Sequence, residues 1–248
     1  MRTAFAGLRR RAPSALRRRA VFESLEPRIL LSVDPLTFAP TVTWSSNASG
    51  FWDVASNWST GVVPGINDNV LIDKPGNLTI TVRSGTQSVN SLLITEGLVV
   101  SGGTLAVAAE SEAKGTFVLS GGVLGGAGVF NLSGSSTWSD GTMGPGGQTL
   151  VTAGATLNIT TGSTHDLNAR TLVNQGTVGW LGGHMRGGNG AVILNEGLWL
   201  SDSPNPYSMH SFGGTAPTFD NRGTFRNIVA SNETTTVSNW AFVNRGTV

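Results

Sequence analysis

Glu196 in "ILNEGLW" and Asp220 in "FDNRGTF" form the most promising acidic pair in this chain, with Arg222 and Arg226 close behind. Two carboxylates placed to flank a glycosidic bond are what glycoside hydrolysis requires. Each of these flanks an Asn, at a corner-like position where solvated charges also belong. His165, His184 and His210 are the histidines, and there is no cysteine, so a metal site would need imidazoles and carboxylates gathered in space. No H-x-x-x-H or H-E-x-x-H spacing exists. His165 and Asp166 are adjacent and read as a solvated turn; in a strand they would point to opposite faces. "GGAGVF" (125–130) and "GGNGAV" (187–192) begin like the calcium repeat G-G-x-G-x-D, but Phe130 and Val192 stand where the carboxylate ligand should be. They read as glycine-rich turns. Neither a G-x-S-x-G elbow nor a phosphate-cradling G-x-x-x-x-G-K-[ST] is present. The expectation is therefore no catalytic residues, no metal and no cofactor.

The elements that would position these groups are short. Glycine is abundant (34 of 248 residues), 39% of residues are apolar and only 12% are charged. That balance favours β structure with many tight turns over long solvated helices. From residue 78 short apolar segments alternate with glycine, as in "LTITV", "SLLIT" and "GTFVLSGGVL". Asn-x-Gly followed by a β segment then recurs at Asn174-x-Gly176, Asn195-x-Gly197, Asn221-x-Gly223 and Asn244-x-Gly246. A second mark agrees with a step near 21: "WSDGTMGPG" begins at Trp138 and "WLGGHMRGG" at Trp180, twice that step apart.

A period near 20 residues with short strands predicts an all-β fold, a right-handed parallel β-helix. Alternating Val, Leu, Ile and Phe would face the interior, with Thr, Ser and Asn toward water. Asn-x-Gly suits a corner, since both residues tolerate left-handed backbone, and stacked Asn amides can form a ladder. A propeller, with its longer repeat, is the alternative that the Trp spacing leaves open. About eight coils rising ~4.8 Å each would make a rod of ~40 Å.

Before the repeats comes "VTWSSNASGFWDVASNWSTGVVPGINDNVLI" (42–72), which holds Trp44, Trp52 and Trp58, three of the seven tryptophans. A coil stack ends in an open, adhesive edge that large aromatic rings cover well. The segment is similar to the W…W…NW…P…D.V module that precedes repeats in autotransporter-like and other bacterial surface proteins. That resemblance implies a structural cap; a sugar-binding face of stacked rings is the other reading.

The N-terminus differs in charge. Residues 1–28 carry eight basic side chains against Glu23 and Glu26, a net +6, whereas the remainder carries eight basic against 13 acidic, a net −5. The body lacks the basic face that nucleic-acid binding needs. No 18-residue apolar run is present, so no transmembrane segment is expected. The tail reads as disordered or helical. Its "FESLEPRILLS" contributes Phe22, Leu25, Glu26, Pro27, Arg28, Leu30, Leu31 and Ser32. This resembles the LEPR-XLL segment near the start of very large exported bacterial proteins, and the resemblance implies a sorting or export signal. An uninterrupted apolar stretch of the secretory kind is missing, because Glu23, Glu26, Pro27 and Arg28 break it.

The expected organisation is a basic tail with sorting segment (1–35), a Trp-rich cap (36–77) and β-helix coils (78–248). The expected role is that of a non-catalytic extracellular or cell-surface bacterial protein, structural or adhesive; polysaccharide binding or cleavage is the alternative. Expected partners are cell-surface polysaccharide, other surface proteins, and further copies end to end. The chain stops within the fourth Asn-x-Gly repeat, which suggests a piece of a larger protein.

Overall fold

The computed structural model describes residues 38–202, 206–228 and 235–248. Two units are distinguished, Met1–Leu31 and Ser32–Val248. The first lies outside the described residues, as does the whole sorting segment at 22–32.

The second unit is a parallel β-solenoid of about eight turns. A 10-stranded sheet runs from Val42–Thr43 through Asn69–Ile72 and Thr171–Asn174 to Ala241–Asn244. A 15-stranded sheet supplies the other two columns, fused through the nine-residue strands Phe117–Gly125 and Ser135–Met143. Every ladder between these strands is parallel, because each coil returns to the same column one rung later. The propeller alternative is thereby excluded.

Alternation places one side of each strand inside. Ile80 and Val82, Leu98 and Val100, Leu157 and Ile159 are all fully buried in the second column, and their neighbours are not. The 10-stranded sheet departs from the expected polar exterior. Its outward position is Leu71, Leu93, Glu112, Asn131, Leu150, Val173, Leu194, Asp220 and Val243 in successive aligned coils, apolar in six of the nine, and Leu93, Leu150 and Val173 are buried outside the main core cluster.

The sequence repeats acquire physical reasons here. Trp138, Ile159 and Trp180 stack in register, and the indole N–H of each Trp donates to a glycine carbonyl three residues on: Trp138 to Gly141 at 3.2 Å, Trp180 to Gly183 at 2.8 Å. Those glycines have φ of 85° and 76°, so the repeated W-x-x-G is an indole holding a left-handed turn. In the Asn-x-Gly corners the glycine is needed for close approach. A Cβ at Gly223 would drive into the Gly197 carbonyl oxygen, and one at Gly246 into that of Gly223.

Candidate functional site

Asn174, Asn195, Asn221 and Asn244 align in the first sheet, and their amides form a chain of side-chain hydrogen bonds. Each Nδ2 donates to the next Oδ1 at 2.7 Å, from Asn174 to Asn195 to Asn221 to Asn244. The second Nδ2 hydrogen of Asn174, Asn195 and Asn221 goes to the carbonyls of Leu198, Thr224 and Thr247. In earlier coils the same position is Ile72, Ile94, Ala113, Leu132 and Val151. The ladder thus replaces an apolar column, and its first member, Asn174, leaves its Oδ1 buried without a partner.

The tryptophans of the opening module are interior. Trp44, Trp52 and Trp58 are at most 2% exposed, and edge-to-face contacts at 4.9 and 4.8 Å join Trp58 to the other two. Trp58 Nε1 donates to the Trp52 carbonyl, and Trp44 and Trp58 share an antiparallel bridge. Rings so buried offer no stacking face to a pyranose, so the sugar-platform reading of this module is withdrawn. Val42–Thr43 and Asn69–Ile72 belong to the first sheet, so the coil register already runs through this segment.

The acidic pair at the corner is occupied otherwise. Asp220 accepts from Arg222 at 3.0 Å and from Arg245 of the next coil, while Glu196 accepts from Gln175 at 3.1 Å. Burial raises the Asp220 pKa, but hydrogen bonds and charge from the two guanidiniums outweigh it and leave the carboxyl below its ordinary value. The register pairs Asp220 with Leu194 and so leaves Glu196 two positions further along, beyond the paired strand.

His165 corrects a reading made from the sequence. It opens the strand His165–Asn168, is fully buried with its ring edge-on to Trp138 at 5.3 Å, and neither ring nitrogen has a hydrogen-bond partner. Asp166 faces the other way. The solvated turn is wrong because the strand pairs on both sides, with Thr142–Met143 and with Met185–Gly188. Burial lowers the His165 pKa against the pull of the carbonyls of His184, Thr160 and Trp138. A folded pKa below the unfolded value of 6.5 means that its contribution to stability is full above that pH and is lost as the pH falls. Urea unfolding should therefore show lower stability at about pH 5.5 than at about pH 7.5, and His165→Leu should reduce that difference. His210, also lowered, would account for part of what remains.

Sequence reasoning passed over Arg170. It is 1% exposed and has no carboxylate partner among the described residues; its guanidinium donates to Thr149 Oγ1 and to the carbonyls of Gly126, Gly146 and Gln148, tying the glycine-rich turns of several coils together. Burial pushes its pKa down to about 10, so it remains a cation at neutral pH.

On the third column, polar groups from distant positions converge. Asp166, Arg186 and His210 align on successive strands, with Asp166 holding Arg186 through bonds of 2.7 and 2.8 Å. Those hydrogen bonds keep the Arg186 pKa above its ordinary value despite some burial. Ser208 Oγ lies 3.0 Å from His184 Nδ1 and 3.4 Å from His210 Nδ1. The backbone N–H of Ser208 also donates to His184 Nδ1 at 3.2 Å, so that nitrogen is an acceptor and the Ser208 hydroxyl donates to it. The tautomer is thus set by the backbone. Tyr207 packs edge-on against His184 at 5.2 Å. The register slips between Gly187 and Gly188, which pair with Ser211 and Gly213. Phe212 is the extra residue of this bulge, 39% exposed, with the Arg186 guanidinium 5.9 Å from its ring centroid. Gly188 makes room for it, because a Cβ there would drive into the Phe212 ring.

No protein-family model, curated protein or solved structure matches this chain. Its function must be argued from its own residues. Among the described residues no group of three His, Cys, Asp or Glu is placed to hold a metal ion, and no helix is long and apolar enough to cross a membrane.

Proposed function

We propose that this chain is a non-catalytic, exported or cell-surface β-solenoid with a structural or adhesive role. The observation that carries the reading is the in-register stack of about eight turns, which repeats its outward positions along one axis and so builds long lateral surfaces. Two of the carboxylates that might have done acid–base work are engaged in ion pairs, Asp166 with Arg186 and Asp220 with Arg222 and Arg245. Export rests on the basic N-terminus and the LEPR-XLL-like residues. A second reading, polysaccharide binding, is favoured by one place, the exposed Phe212 ring beside Arg186 and His210.

Fractionation of native cells with mapping of the mature N-terminus tests the reading. The expected product lies outside the cytoplasm and begins shortly after Ser32. An intact N-terminus on a cytosolic protein would overturn it.

A further inference from the structure

We propose that the strip formed by His184, Arg186, His210 and Phe212 binds an anionic polysaccharide, one bearing carboxylates or sulfates, and binds it more tightly as the pH falls. The inference deepens the adhesive reading, on which it rests for access to such a glycan.

Three independent features meet in the strip. The bulge at Ser211–Gly213 aims an aromatic ring outward, and Gly188 is the vacancy that seats it. An exposed ring of this kind offers a flat apolar surface to the C–H face of a pyranose. The guanidinium of Arg186 lies beside it, fixed in place by Asp166. Two imidazoles complete the row, with ring centroids 5.7 Å apart and the Ser208 hydroxyl between them.

The charge of the strip depends on His210. At neutral pH Asp166 and Arg186 cancel, and the Ser208 hydroxyl is spent on His184 Nδ1. The following strand, Thr236–Val237, pairs with Ser208 and Met209 and brings no charge. Tyr207 packs against His184, and the buried His165 lies on the preceding strand, its backbone N–H donating to the His184 carbonyl. With His210 protonated, the strip gains a positive charge next to Arg186. Burial, followed by the charges of His184 and Arg186, disfavours the His210 cation, and Asp166 only partly opposes them. A bound carboxylate or sulfate removes that repulsion, so anion and protons favour one another reciprocally.

The test uses the purified chain with three probes, alginate oligosaccharide, dextran sulfate and neutral dextran, followed by calorimetry. Affinity for the anionic probes should rise on the order of tenfold from about pH 7.5 to about pH 5.5, a coupling of ordinary size. Neutral dextran should not bind. Preference between the two anionic probes identifies carboxylate or sulfate as the group recognised. His210→Ala should remove the pH dependence and Phe212→Ala should weaken binding at both pH values, whereas Arg226→Ala, exposed on the second column, should change nothing. Proton NMR of the ring Cε1–H signals gives a readout in the unmodified protein: the anion should raise the titration midpoint of His210. Absence of binding, pH-independent binding, an unmoved His210 midpoint, or a loss in Arg226→Ala equal to that in His210→Ala would each overturn the proposal. These measurements do not involve cellular location, so their failure is separate from failure of the surface reading.

Discussion

Asn195→Ala should lower the unfolding free energy by about 3 kcal/mol, while Asn244→Ala should cost well under about 1 kcal/mol. The two residues share one column, but Asn195 is buried and bonded to an Asn on both sides, whereas Asn244 is exposed and its Nδ2 turns to the Gly246 carbonyl. Asn195 is fully buried; it accepts from Asn174 and donates to Asn221 Oδ1 and to the Thr224 carbonyl. Alanine would strand a donor and two acceptors where water does not reach, and each orphaned group costs about 1–3 kcal/mol. Asn244 is exposed, so water can replace its bonds. Urea unfolding with an unchanged m-value measures both. Equal losses at the two positions would mean that the ladder contributes no more than a surface contact.

Trp52→Ala should cost about 3–5 kcal/mol, the usual range for emptying a buried aromatic site. The ring is fully buried against Trp58 at 4.8 Å, and Trp58 Nε1 bonds to the Trp52 carbonyl, so the cavity would also loosen its neighbour. Trp52→Phe should cost less than about 1.5 kcal/mol, because most of the apolar volume remains. It also deletes an indole N–H that is buried with no partner. Thermal and urea unfolding followed by circular dichroism distinguish the two variants. A mild Trp52→Ala would show that the opening coil is not held by its tryptophans.

The repeats were legible because a coil stack imposes its period on the chain. The ladder steps of 21, 26 and 23 residues are the lengths of individual coils, and the uneven step to Asn221 reflects a longer excursion that returns to the same register. Buried tryptophans in the opening segment also followed from composition and place. The apolar members of the outward column, Leu71, Leu93, Leu150 and Leu194, did not, because period-two alternation in an apolar run does not tell one face from the other. Arg170 was equally invisible, since its stability inside depends on carbonyls that only the turns of other coils supply.

The sequence by itself determined the class of fold, the columns of Asn and Trp, and the lack of a paired-carboxylate motif with metal or nucleophile spacing. Each of those follows from residue type and period alone. The tertiary structure decided which polar groups meet. Ser208 reaches His184 across 24 residues, and Phe212 reaches Arg186 only because a bulge shifts the register by one. His165 went inside and Asp166 outside because the strand that they open pairs on both sides. In a parallel stack the partner of a side chain is set by coil length and strand register, and both are fixed only when the rungs pair.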